Sequence, residues 1–109
     1  MTLKYYAEEL RKTAKTLAQP GKGILAVDES TKTVGKRLAS IEVENTEENR
    51  KAYRGMLFTT NNLGNFISGA ILFEETLFQT HQDGELMVKK LEKQGIIPGI
   101  KVDKGLRPL

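Results

Sequence analysis

The chain has 109 residues and a mass of 12.2 kDa, room for one small domain with one core. Hydrophobic residues at 39% and charged residues at 28% place it in the globular, water-soluble class, and no run of about 18 apolar residues exists to cross a bilayer. Cys 0 and a lone His81 exclude disulfides, thiolate nucleophiles and Cys- or His-based metal sites, and a net charge of +3 suits a small anionic ligand as well as it suits nucleic acid.

In chain order, Tyr6, Leu10, Ala14 and Leu17 recur every three or four residues, which predicts an amphipathic helix from Leu3 to Ala18, ended by Pro20 and Gly21. Gly23 to Asp28 is a short apolar run without alternation, the pattern of a strand covered on both faces in a parallel sheet, and it ends in a carboxylate. Val34, Leu38 and Ile41 keep helical spacing. Thr46, followed by Glu47 and Glu48, reads as the N-cap and acidic first turn of a helix carrying Tyr53, Met56 and Leu57. Asn61 to Asn65 is a turn-rich break.

Phe66 to Phe73 is a second strand-like run, ending at Glu74 and Glu75. Asp83-Gly84 is expected to open a helix containing Leu86, Lys89, Lys90 and Leu91, with Gly95 as its C′ residue. Ile96 to Asp103 is the third strand-like run, irregular at its start because of Pro98 and Gly99. This alternation is the βαβ pattern of an α/β fold, and it predicts that the strand C-termini share one edge of a parallel sheet. Asp28, Glu74, Glu75 and Lys101 then belong to one rim, where ligands of such folds bind.

A carboxylate closing a buried strand, such as Asp28, is suited to proton work or to orienting an ammonium, and equally to capping the next helix. Lys101, at the end of the third strand, is placed to bind phosphate or carboxylate, or to pair with Asp28. Ser30, Thr31 and Thr33 stand where a loop enters a helix, a position that serves an anion or a cap, with Arg37 about one and a half turns on. The Arg50, Lys51 and Arg54 cluster reads as solvated charge. His81 reads as plain surface. Gly21-Lys22-Gly23 precedes a strand instead of following one, which argues against a dinucleotide fingerprint, and no nucleotide P-loop motif occurs.

Five segments carry a family resemblance: PGKGILAVDES (20–30), GKRLASI (35–41), ENTEENRKAYR (44–54), ISGAILFEETL (67–77) and PGIKVDKGLRPL (98–109). Together they resemble class I fructose-1,6-bisphosphate aldolase of the plastid-type branch, from about Tyr5 to Leu109. The resemblance implies a partial (β/α)₈ barrel: residues 1–109 as the N-terminal part of a single barrel domain, holding the first helix and about three βα units. It implies reversible cleavage of fructose 1,6-bisphosphate into dihydroxyacetone phosphate and glyceraldehyde 3-phosphate through a lysine Schiff base, with no metal and no cofactor.

By motif, Asp28 matches the family's strand-one carboxylate, which contacts substrate and active-site lysines, and Lys101 matches the strand-three lysine that holds charge at the same rim. Ser30 and Thr33 fall where family hydroxyls approach a substrate phosphate, the latter position often being serine. Arg37 and Arg50 match arginines assigned to phosphate binding. The family's Schiff-base lysine lies on a later strand, and no lysine of this chain matches its motif. A polypeptide of these residues alone is therefore expected to be inactive and to fold poorly, with a non-catalytic piece that docks on aldolase subunits or weakly binds sugar phosphates as the alternative reading. The expected partner is a sugar-phosphate substrate, with neither nucleic acid nor membrane, and a homo-oligomer, a tetramer, at full length. The expected compartment is the cytoplasm, or the plastid if a transit peptide precedes these residues.

Overall fold

Short apolar runs bounded by turn residues build the sheet, and the segments between them coil into helices that close over it. The computed structural model describes residues 3–106. In order, it contains α1 (Leu3–Leu17), β1 (Gly23–Val27), α2 (Thr31–Ala39), α3 (Glu47–Phe58), a 3₁₀ turn (Leu63–Asn65), β2 (Ile67–Leu72), α4 (Glu74–Leu77), α5 (Met87–Lys93) and β3 (Ile97–Ile100). The last three residues of the PGIKVDKGLRPL segment lie outside the described residues.

The strands form one parallel sheet in the order β1-β2-β3. Val27 stands opposite Leu72, and Leu72 opposite Ile100, so all three strands finish on one edge, as their sequence pattern predicts. The Lys101 N–H extends the ladder by one bond, 2.9 Å to the Leu72 carbonyl. Burial on both faces, expected for all three runs, holds only for the central strand. Ser68, Gly69, Ala70 and Leu72 of β2 are buried, whereas Ile24 of β1 is 53% exposed and the end of β3 is open. Among the described residues β1 and β3 are the outer strands of the sheet, and the core lies on the side where α3 and α5 pack. That core joins Val27, Phe58, Ala70, Leu72, Met87, Leu91 and Ile96.

The helices follow their expected bounds with three corrections. In α1 the predicted apolar stripe is exposed at Tyr6, Leu10 and Ala14 and half-buried only at Leu17, and the helix is tied to the sheet at its end, where the Ser68 hydroxyl donates a 2.7 Å bond to the Leu17 carbonyl. In α2, Val34 and Leu38 are buried as expected, but Ile41 lies past the helix and faces solvent. The helix expected from Asp83-Gly84 starts only at Met87. Asp83 accepts from the Glu85 N–H at 3.0 Å and Gly84 takes a positive φ of 84°, so these residues make a turn. Gly95, at φ 75°, closes α5 as its sequence position suggests.

Candidate functional site at the C-terminal edge of the sheet

Because β1, β2 and β3 end together, the residues after each strand meet around one cleft of about 350 Å³, lined by Ser30, Phe73, Glu74, Lys101, Asp103 and Lys104 among others. Lys101 projects from the end of β3 with its side chain 28% exposed, and its Nζ faces Asp103 at 3.8 Å. The alternative pairing with Asp28 is not formed. Asp28 follows β1 directly and is half-buried, one residue from Glu29 and two from the cleft-lining Ser30. Across the cleft Lys104 pairs with Glu74 at 2.5 Å.

Ser30 is the N-cap of α2: its hydroxyl oxygen accepts from the Thr33 N–H at 3.3 Å and donates to the Thr33 hydroxyl at 3.1 Å. The two predicted phosphate hydroxyls are thus adjacent, and Ser30 also lines the cleft. Arg37, two turns into α2, reaches back to Glu29 Oε2 at 2.9 Å with its own side chain 58% exposed.

The basic cluster of α3 departs most from its sequence reading. Arg50 grips Glu75 with two bonds, Nε to Oε1 at 2.9 Å and Nη2 to Oε2 at 2.8 Å, and donates a third to Asn45 Oδ1 at 2.9 Å. Arg54, expected at the surface, is completely buried. Its Nη1 reaches Glu75 Oε1 at 3.2 Å, its Nη2 donates to the Glu29 carbonyl at 2.7 Å, and its guanidinium lies over the Phe73 ring, 5.6 Å from the centroid. Burial pulls the Arg54 guanidinium below its usual pKa. The hydrogen bonds from Arg50 hold the Glu75 carboxyl below the usual carboxylate range, and Glu75 in turn pushes Arg50 up. Arg54 lies four residues before Phe58 and four after Arg50, which puts all three on the helix face turned to the sheet. That spacing was the available signal; Met56, expected on the apolar face, is exposed instead. Glu29, Asn45, Phe73 and Asp103 carried no sequence signal.

His81 also differs from the plain surface position expected. It borders a second cavity, of about 220 Å³, with Lys51, Gly55, Met56 and Met87, and its Nε2 is buried without a partner. Among the described residues no group of three His, Asp or Glu could hold a metal ion, and no helix is long and apolar enough to cross a membrane.

The sequence and fold of this chain have counterparts among known proteins. Residues 9–109 match the family model described as fructose-bisphosphate aldolase class-I. The chain belongs to the class I fructose-bisphosphate aldolase family.

The chloroplastic fructose-bisphosphate aldolase of Spinacia oleracea is 65% identical over 104 residues, and the chloroplastic aldolase 1 of Pisum sativum is 66% identical over the same length. Each alignment covers 95% of this chain but only 26% and 29% of the respective relative. Among solved structures, the fructose-bisphosphate aldolase of Plasmodium falciparum, crystallised with TRAP and a small-molecule inhibitor, is 61% identical and superposes with a TM-score of 0.92, covering 96% of this chain and 30% of that one. The three-stranded parallel sheet and its helices therefore match the start of an aldolase barrel.

Proposed function

We propose that the protein is a class I fructose-bisphosphate aldolase that cleaves fructose 1,6-bisphosphate reversibly into two triose phosphates through a lysine Schiff base. Family membership and the cleft at the strand C-termini support this reading, and the cleft is the observation that carries it. An anionic sugar phosphate entering the rim meets the Lys101 ammonium, whose carboxylate neighbour is 3.8 Å away, and the hydroxyl-lined start of α2.

Within that reading, Asp28 orients the substrate and neighbouring ammonium groups, and Lys101 stabilises negative charge on the reacting ketose. Ser30 and Thr33 approach a phosphate. Arg37 reaches a phosphate from the exposed face of α2. Arg50 contributes the N–H groups left over from its bonds to Glu75 and Asn45. The Schiff base forms on a lysine other than Lys101. The working protein is a homo-oligomer, a tetramer, built from single barrel domains of which residues 1–109 form the first part. The chloroplastic relatives favour the plastid over the cytoplasm as its compartment.

A coupled assay of triose phosphate release tests the reading on the native protein. Turnover of fructose 1,6-bisphosphate is expected, and Asp28→Ala or Lys101→Ala is expected to cut kcat by at least ~10²-fold, the scale for losing a positioned charge or acid–base group. Full activity in both variants would remove Asp28 and Lys101 from the site.

A further inference from the structure

Arg37 and Arg50, the two arginines proposed to bind phosphate, stand on different helices, and each is held by a carboxylate: Arg37 by Glu29, Arg50 by Glu75. A third arginine joins those two holders. Arg54 donates through Nη1 to Glu75 and through Nη2 to the Glu29 backbone carbonyl, 25 residues back in sequence, and the resulting chain of contacts runs Arg37, Glu29, Arg54, Glu75, Arg50.

We propose that Arg54 is a positioning residue of the sugar-phosphate site, a buried guanidinium that fixes Arg37 and Arg50 relative to each other and to the Asp28–Ser30 segment. The proposal rests on the aldolase reading above. Arg54 itself is fully buried against Phe73 and cannot touch a ligand. Burying an ion pair is costly, and well-packed apolar residues in place of both partners often hold a fold as well or better, so stability alone does not account for it. Its Nε, buried without a partner, adds to that cost. What the guanidinium supplies is geometry: a rigid fork that serves two acceptors on separate segments, a fixed spread of donors that the compact ammonium of lysine does not reproduce.

The test is steady-state kinetics on the native protein with Arg54→Lys, Arg37→Ala and the double variant. Arg54→Lys is expected to raise KM for fructose 1,6-bisphosphate about tenfold with little change in kcat, the signature of lost binding geometry. In the Arg37→Ala background the same change is expected to raise KM by a smaller factor, about threefold, because one of the two arginines it positions is gone and only Arg50 remains. An equal factor in both backgrounds, or a loss of folded protein with KM unchanged, would overturn the proposal. If Arg54→Lys does not fold, Arg54→Met, which keeps the volume, takes its place in the same cycle with the same expected and overturning results. A native protein that neither binds nor cleaves the bisphosphate defeats the aldolase reading and this proposal with it. Native turnover with KM insensitive to position 54 defeats this proposal alone.

Discussion

Arg54 Nη2 donates a 2.7 Å hydrogen bond to the backbone carbonyl of Glu29, pinning the segment after β1 to the middle of α3. The bond is made by a fully buried side chain whose other amino group meets Glu75, so one guanidinium fixes the exits of β1 and β2 at the rim where Lys101 leaves β3. The order of the candidate site therefore depends on charge inside the fold as well as on the sheet.

Removing the anion of this buried pair is expected to cost more than removing the cation. Glu75→Gln removes the carboxylate hydrogen-bonded to the buried Arg54 cation, and a loss of about 3 kcal/mol is expected. Arg54→Met leaves Glu75 still paired with Arg50 and fills the space over Phe73, so a smaller loss is expected. Denaturant unfolding of both variants checks the ranking, and equal or reversed losses would count against the buried-pair account.

The same pair sets a pH dependence. Because the folded Glu75 carboxyl titrates below its unfolded value of about 4.3, its stabilisation is complete above that value and drains away as the pH falls through the lower folded pKa. The stability gap between the native protein and Glu75→Gln should accordingly shrink at acid pH. Thermal melts from neutral pH down to about 2 would show it, and a gap independent of pH would contradict the assignment.

Two glycines separate hard from soft crowding. A Cβ at Gly64 would stand 2.2 Å from the backbone oxygen of Gln94, whereas one at Gly69 would first meet the mobile end of Leu17, at 2.5 Å. Overpacking typically costs about 1 to 3 kcal/mol, and Gly64→Ala is expected at or above the top of that range with Gly69→Ala below it. Unfolding midpoints of the two variants decide the order.

Ser30 caps α2 and is proposed to contact a phosphate, and the two roles respond differently to substitution. As the N-cap of α2 it is expected to cost about 1 kcal/mol on replacement by alanine. As a phosphate contact it should also raise KM for the bisphosphate. A stability loss with KM unchanged would leave Ser30 as a cap only.

Much of the fold was legible in the chain itself. The three unalternating apolar runs became the three strands, and Thr46 capped α3 by accepting from the Asn49 N–H, because each rests on local pattern. The βαβ alternation placed Asp28, Glu74, Glu75 and Lys101 at one rim, and the sheet register brings the ends of the three strands to one edge. What the sequence hid was tertiary. Arg54 looked like surface charge because its counter-ion is 21 residues away. His81 gave no sign of burial, since its cover comes from α3 and Met87.

The most direct test of the aldolase account is the intact mass of the native protein after incubation with fructose 1,6-bisphosphate and borohydride, which reduces a Schiff base to a stable amine. The account predicts one triose-phosphate adduct per subunit, mapped by peptide mass to a lysine other than Lys101. No adduct, in a preparation that is folded and saturated with the sugar bisphosphate, would contradict it.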